Sequence, residues 1–350
     1  MTATIQARCE TVRPEAGNVK VFTLRVQSKH FDFLSALRAG KHVALSYPDT
    51  GGTIQQRMYS ITRMADPDLI EIAVKGSGRN SVSDHLHATL REGMSVPLQY
   101  VAGDISVDSI VGYERIAMIA GGIGITLPIA LLRELAARAQ DGLPVPQVHL
   151  LLSIARIADI PFLHELLQLD LSTSWFTLTV FVTQEKIRES AHFKVGRPSF
   201  ENMEQLKDPQ AVVICGSHGF AQALREYTIQ AHPISHMLIE AFSPPAKSGV
   251  EILPEAGSAP LQINVRSTGQ TLSPEPGSSL LEMLEAADVP IRSQCRSGIC
   301  GACRVQISEG EYRSEPDFCL SDQDKAQGHA LACCTFPLSG AMNVDIGTTS

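Results

Sequence analysis

The stretch SQCRSGICGACRV, residues 293–305, places Cys295, Cys300 and Cys303 close together with glycines and other small residues among them. More thiols follow in LACCTFP, residues 331–337. A spacing of Cys-x4-Cys-x2-Cys with a distant fourth cysteine is the ligand spacing of a [2Fe–2S] cluster, because one loop must wrap the centre and deliver three thiolates to it. Small residues at Ser297, Gly298, Gly301 and Ala302 let backbone amides approach the sulfurs. Hydrogen bonds from those amides stabilise the extra negative charge of the reduced state. Zinc is the competing metal, but a structural zinc site usually pairs two short Cys or His motifs. Here the second half offers only Cys333 and Cys334, whose side chains would point to opposite faces of a strand. Unliganded packing is the third reading, and it is the one expected for Cys9, Cys319 and Cys334.

Such a cluster moves single electrons and makes no bond to a substrate, so it needs a donor. Four segments upstream carry groups suited to supplying one. QRMYSIT, residues 56–62, offers Arg57 as a permanent cation for a phosphate, Tyr59 as an aromatic face and Ser60 as a small hydroxyl donor. VKGSGRNSVSDHLH, residues 74–87, runs glycines into Val82 and Ser83 at a predicted helix start, where amides and the helix dipole favour phosphate. AGGIGIT, residues 120–126, sits between a predicted buried strand and a predicted helix, and its glycines Gly121, Gly122 and Gly124 allow close backbone approach by a dinucleotide. VVICGSHGF, residues 212–220, puts Cys215 at a strand end.

These motifs resemble known ones. Residues 261–350 resemble a plant-type ferredoxin domain, a β-grasp fold. That resemblance implies Cys295, Cys300, Cys303 and Cys333 as the four cluster ligands. Cys333 is chosen over Cys334 because 29 residues separate it from Cys303 and because it follows Leu331-Ala332. QRMYSIT resembles the Arg-x-Tyr-Ser strand of the ferredoxin–NADP reductase superfamily, which implies a flavin over Tyr59 with Ser60 reaching its N5. Val82 and Ser83 would then hold the flavin pyrophosphate. GGIGIT resembles the superfamily's nicotinamide signature, with Thr126 as a nicotinamide contact, although Thr126-Leu127-Pro128 stands where the family has Thr-Pro. Ser153 and Arg156 resemble its Ser-x-x-Arg, and Cys215 resembles the cysteine near the meeting point of nicotinamide and flavin, with Ser217 replacing the family's proline. Phe242 resembles the aromatic that covers the flavin.

The resemblance also bears on the cofactors. FMN-using relatives of phthalate dioxygenase reductase carry a Gly-Arg-Gly-Gly-Ser run; VSDHLH here looks more like the FAD type, so FAD is expected, with FMN the alternative. Thr183-Gln184 stands where NADPH users often carry Ser-Arg, so NADH is expected, with NADPH the alternative. The whole resembles the reductase component of a Rieske-type oxygenase: NADH would reduce the flavin, and single electrons would pass through the cluster to a partner oxygenase. A non-catalytic redox sensor on a reductase scaffold and a flavin reductase releasing free reduced flavin are the alternatives.

Elements able to position these groups are legible around them. The chain has 350 residues, 44% of them hydrophobic and 19% charged, which suits two or three globular domains. Residues 1–108 alternate like strands, as in VKVFTLRV, HVALSY and LIEIAVK, with one helix candidate, SVSDHLHATLREG, expected to stop at its glycine. They predict an antiparallel flavin-binding barrel. Residues 109–242 alternate strands with helices, which predicts a parallel-sheet NAD(P)-binding α/β domain. Residues 243–260, rich in Pro, Gly, Ser and Ala, read as a linker. The fold class is therefore multidomain α/β plus β.

The net charge of −8 and the lack of basic runs argue against nucleic acid. No apolar run reaches ~18 residues, which argues against a membrane span. The N-terminus lacks a signal-peptide pattern, and six of eight cysteines lie in the last fifth of the chain. A cytoplasmic protein is expected.

Overall fold

In the computed structural model the described residues are 5–27, 31–78, 80–103, 105–234, 236–242, 260–274, 277–293, 298, 301–314, 320 and 322–347. Six antiparallel strands close a barrel: β1 (Ile5–Glu15), β2 (Val19–Gln27), β3 (His42–Pro48), β4 (Ile54–Asp66), β5 (Leu69–Lys75) and β6 (Ser95–Ala102), in the order β1-β2-β5-β4-β3-β6. Alternation drives it. In β2 the apolar residues Val21, Phe22, Leu24 and Val26 are buried, while Lys20, Thr23 and Arg25 stay partly exposed. Gly17 and Asn18, both at positive φ, turn β1 into β2. A short helix α1 (Phe31–Ala36) precedes β3, and α2 (Val82–Thr89) follows β5. The second helix ends sooner than expected, at Leu90 in extended backbone rather than at Gly93.

The parallel sheet follows, built from β7 (Arg115–Gly121), β8 (Gln147–Ile154), β9 (Phe176–Val182), β10 (Phe193–Val195), β11 (Ala211–Gly216) and β12 (His236–Ala241) in the order β10-β9-β8-β7-β11-β12. Helices α3 (Thr126–Gln140), α4 (Leu163–Ser172), α5 (Phe200–Glu204) and α6 (His218–Ala231) connect its strands. The strand AVVICG is buried at every position, as expected of a parallel strand covered on both faces.

The last part is a sheet of β13 (Gln262–Val265), β14 (Gln270–Leu272), β15 (Arg304–Glu309), β17 (His329–Leu331) and β19 (Ala341–Asp345), ordered β14-β13-β19-β15-β17. Beside it lie the pair β16 (Tyr312–Ser314) and β18 (Thr335–Pro337), with α7 (Leu280–Ala286) and α8 (Asp322–Ala326). Ser279 caps α7 in a reciprocal box with Glu282. The expected linker, Pro260 apart, lies outside the described residues.

Contacts divide the chain into two units: Met1–Gly216 with Ala223–Leu238, and Ser217–Gln222 with Ile239–Ser350. In the first, barrel residues Val19, Val21 and Ala73 belong to the same buried cluster as Ile125, Leu127 and Met118 of the α/β layer. A separate cluster, including Phe22, Leu45, Ile61 and Leu98, fills the barrel. The second unit packs Leu280, Leu284, Ile263 and Val305 around Cys303, Cys333 and Cys334. Among the described residues no helix is long and apolar enough to cross a membrane.

Leu284 is fully buried in that cysteine-bearing core. Leu284→Ala is expected to destabilise the second unit by about 2–5 kcal/mol, read from its urea-unfolding midpoint.

Candidate functional site

Strand β4 presents the first group of site residues. Arg57 is exposed, Tyr59 is partly buried and Ser60 is buried. The Tyr59 hydroxyl lies 3.1 Å from Ser83 Oγ at the start of α2. Burial pushes the Tyr59 phenol up to about 12, only partly offset by the Ser83 bond and the Arg57 charge. Tyr59 therefore stays neutral at any physiological pH, a flat apolar face with one polar tip. Val82, fully buried, is the first residue of α2, and Ser81 caps the helix.

Asp84, which sequence reasoning passed over, organises this corner. Its carboxylate accepts from the backbone amides of Ser77 (2.6 Å), Gly78 (2.9 Å) and Ser81 (3.0 Å) and from both serine hydroxyls. Burial works against the charged form, but these hydrogen bonds outweigh it and hold the carboxyl well below the usual aspartate range. The sequence signal was a carboxylate at the third helical position after a serine cap.

The second group lies along the carboxyl edge of the parallel sheet, where open α/β sheets bind ligands. Register sets Gly121 beside Ser153 and Ala120 beside Cys215. Gly122 takes φ 57° as the chain leaves β7. At Gly124 a Cβ would sit 2.3 Å from the Cys215 carbonyl oxygen, so the backbones of the glycine turn and β11 touch there. One turn on, Thr126 opens α3 and is 3% exposed. Its hydroxyl donates to Ser60 Oγ at 3.4 Å. The structure thus brings Ser60, Thr126, Gly124 and Cys215 together where barrel and sheet meet, with Tyr59 on the same strand as Ser60 and Ser83 bonded to Tyr59 from the start of α2.

Other expected residues stand apart. Ser153 is buried near the end of β8. Arg156 is exposed and held by Asp159 through two bonds, at 2.8 and 3.2 Å. Glu185, another residue missed, accepts from the Ile157 amide at 2.9 Å. Phe242 follows β12 and is 40% exposed, in the second unit.

Of the four expected cluster ligands, Cys295 and Cys300 lie outside the described residues. Cys303 and Cys333 are both buried and in no disulfide. The Ala332 amide donates to the Cys303 carbonyl at 2.9 Å, which holds their two segments side by side. Cys333 and Cys334 do not point to opposite faces as a strand would place them. Residues Ala332–Cys334 form a 3-10 turn, and the two sulfurs lie 3.7 Å apart. Two buried thiols on adjacent segments, with small Ala302 and Ala332 beside them, suit half the sulfur shell of an iron–sulfur centre. The buried hydroxyls and neutral phenol of the first unit likewise suit the polar edge and apolar face of a flavin. Cys9, on β1, is a packing residue whose thiol burial pushes up to about 11.

Comparison with known proteins agrees with this layout. Residues 118–226 match the oxidoreductase NAD-binding domain, and residues 263–338 match the 2Fe-2S iron–sulfur cluster binding domain. The chain is 24% identical over 349 residues to the glycine betaine monooxygenase reductase subunit of Pseudomonas aeruginosa, covering 94% of this chain and 92% of the relative. It is 27% identical over 322 residues to the vanillate O-demethylase oxidoreductase of a Pseudomonas species, covering 89% and 91%. Among solved structures, phthalate dioxygenase reductase superposes with a TM-score of 0.62 at 21% identity, covering 98% of both chains.

Two outcomes follow from this geometry. Gly124→Ala forces a methyl against the β11 backbone, so it should cost about 1–3 kcal/mol of stability and weaken NADH binding, read by thermal melts with and without NADH. For Asp84 the folded pKa lies below the ordinary value of 3.8, so its contribution is whole above that pH and fades as the pH falls through the folded value. Asp84→Asn should therefore cost about 1 kcal/mol near neutrality, with the gap from wild type closing in urea titrations run at successively lower pH below 3.8.

Proposed function

For a chain that belongs in residues 118–226 to the oxidoreductase NAD-binding domains and in residues 263–338 to the 2Fe-2S iron–sulfur cluster binding domains, we propose the work of an electron-transfer reductase. It oxidises NADH and delivers single electrons to a partner oxygenase of the Rieske type, in the cytoplasm. The observation that carries this reading is the buried hydroxyl contact between Ser60 of the barrel and Thr126 of the nicotinamide segment. Two dissimilar domains present small donors to one another at a single water-poor point, which is what a hydride donor and acceptor held face to face require.

When bound, a flavin supplies the chemistry of accepting two electrons together and releasing them singly to the [2Fe–2S] centre. The chain's own residues bind, orient and exclude water. Tyr59 backs the ring with a neutral aromatic face, and Ser60 offers a hydroxyl toward its N5 position. Val82 and Ser83 place helix-start amides for the pyrophosphate, and Arg57 adds an exposed cation. Gly121, Gly122 and Gly124 let the dinucleotide backbone approach, while Thr126 and Cys215 border the nicotinamide. Ser153 and Arg156 serve its ribose and phosphate region, and Phe242 is read as the aromatic cover. Cys295, Cys300, Cys303 and Cys333 hold the cluster. The three functional blocks are 1–108, 109–242 and 261–350, with 243–260 as linker.

FAD and NADH are the cofactors this reading takes. Asp159 and Glu185 stand beside Arg156, and their negative charges disfavour the added 2′-phosphate of NADPH in this corner. The glycine betaine and vanillate relatives are named for oxygenase and demethylase systems, and their near full-length match supports an oxygenase as electron acceptor.

The test is an anaerobic NADH titration of the purified holoprotein followed by absorbance, with iron, sulfide and released flavin assayed. Flavin and cluster should both bleach, FAD should be the flavin released, and NADPH should act at least about tenfold less efficiently. Cys300→Ser should then lose most cytochrome c reduction while flavin bleaching survives. A protein without iron and acid-labile sulfide after reconstitution refutes the reading. Undiminished cytochrome c reduction in the variant would instead favour release of free reduced flavin.

A further inference from the structure

Helix α3 is hung on strand β4 at two points, and only the first belongs to the site just described. Thr126 meets Ser60 at the helix start. Arg133 lies seven residues later in α3, about two turns on and hence on the same face. Its Nη1 donates to the carbonyl of Thr62 at 3.1 Å. Thr62 is two residues beyond Ser60 in β4.

That carbonyl is unusual. Ile61 pairs with Ile72 and Arg63 with Glu71, so Thr62 is the extra residue of a β-bulge. A bulge bends its strand and takes the extra residue out of the regular ladder. Thr62 is wholly buried, so its carbonyl has no access to water and needs a partner from the protein. Arg133 supplies it.

Arg133 is itself held from every side. Nε and Nη2 make a two-pronged pair with Glu165 of α4, each at 2.7 Å. Its Nη1 lies 3.5 Å from Glu71 Oε2, a buried atom with no hydrogen bond, and its guanidinium stacks 5.0 Å from the ring centroid of Phe162. Phe162 adopts left-handed backbone, φ 59°, just before α4. Arg63 completes the cluster, 3.6 Å from both Glu71 and Glu165. Only 10% of the Arg133 side chain is exposed. A planar fork fixed at Glu165 thus points its remaining arm at the bulge.

We propose that Arg133 is a positioning residue for hydride transfer: by clamping the Thr62 bulge to α3 and α4, it sets the distance and angle at which Ser60 faces Thr126. The inference rests on the reductase reading above and adds to it a residue that touches neither flavin nor nicotinamide. Two contacts on one helix face, about 10 Å apart along the axis, fix rotation as well as translation of α3 against β4. Without Arg133, the described hydrogen bonding between α3 and β4 would rest on the Thr126–Ser60 hydroxyl pair alone.

The experiment uses the full-length holoprotein carrying Arg133→Lys or Glu165→Gln. Lysine keeps the charge but cannot hold Thr62 and Glu165 together. Glutamine keeps the shape of Glu165, which is 38% exposed, so this variant folds even if the lysine variant does not. Anaerobic stopped flow with NADH and with 4-deuterated NADH reads flavin reduction, its isotope effect and the long-wavelength absorbance of the nicotinamide–flavin complex. Flavin reduction should slow about tenfold or more, with a weakened long-wavelength band and a KM for NADH within about twofold of wild type. Dithionite-driven reduction of the cluster should be unchanged. Wild-type rates and band in both variants overturn the proposal, as does an equal loss in the dithionite assay, which marks a merely structural role. A wild-type protein that NADH does not reduce overturns the reductase reading and the proposal with it, whereas a reducible wild type with unmoved variants overturns the proposal alone.

Discussion

The structure turns on polar groups trapped in an apolar seam. The barrel and the parallel sheet share a core in which Val19, Val21 and Ala73 pack with Ile125 and Leu127. Within the same unit Ser60, Thr62 and Thr126 are almost fully buried. A hydroxyl or carbonyl there has no water to fall back on, and leaving one unpaired costs about 1–3 kcal/mol. Their hydrogen bonds are therefore obligatory, and obligatory bonds fix geometry. The apolar burial supplies the stability, while the few polar atoms inside it decide at what register the two layers come to rest.

This constraint explains why the site lies where it does. A parallel sheet gathers its turns at the carboxyl edge, and β4 of the barrel presents Ser60 to Thr126 there. At Gly124 the backbone touches β11 directly, so no side chain fits between the turn and the Cys215 carbonyl. Tyr59 is kept uncharged by burial, and Asp84 is kept charged by three amides and two hydroxyls. The surroundings of these neighbours on β4 and α2 thus reinforce the ordinary state of each, Tyr59 neutral and Asp84 ionic.

Much of the fold was legible because it rests on local rules. The glycines between a buried strand and a helix and the alternating barrel strands each depend on residues within one turn or one pleat. Reading failed where partners are distant in sequence. Nothing in RELAAR announces that Arg133 will meet Glu165 and the carbonyl of Thr62, or that β4 bulges there. Likewise the Cys333–Cys334 pair reads as strand in one dimension. Its 3-10 turn reflects nonlocal packing, because α7 packs against that turn and the Ala332 amide is already committed to Cys303.

The thiol half of the molecule follows a different logic. Cys303 and Cys333 sit within a core that the second unit builds for itself from Ile263, Val265, Leu284 and Val305. Their adjacency comes from the antiparallel pairing of Arg304 with Leu331 and from the backbone bond between Ala332 and Cys303. Neither needs a residue of the barrel or of the parallel sheet. A sulfur shell held by its own strands can keep its hydrogen bonding, and so its redox character, independent of what the nicotinamide half does. Changes that slow flavin reduction should leave the cluster's own chemistry intact.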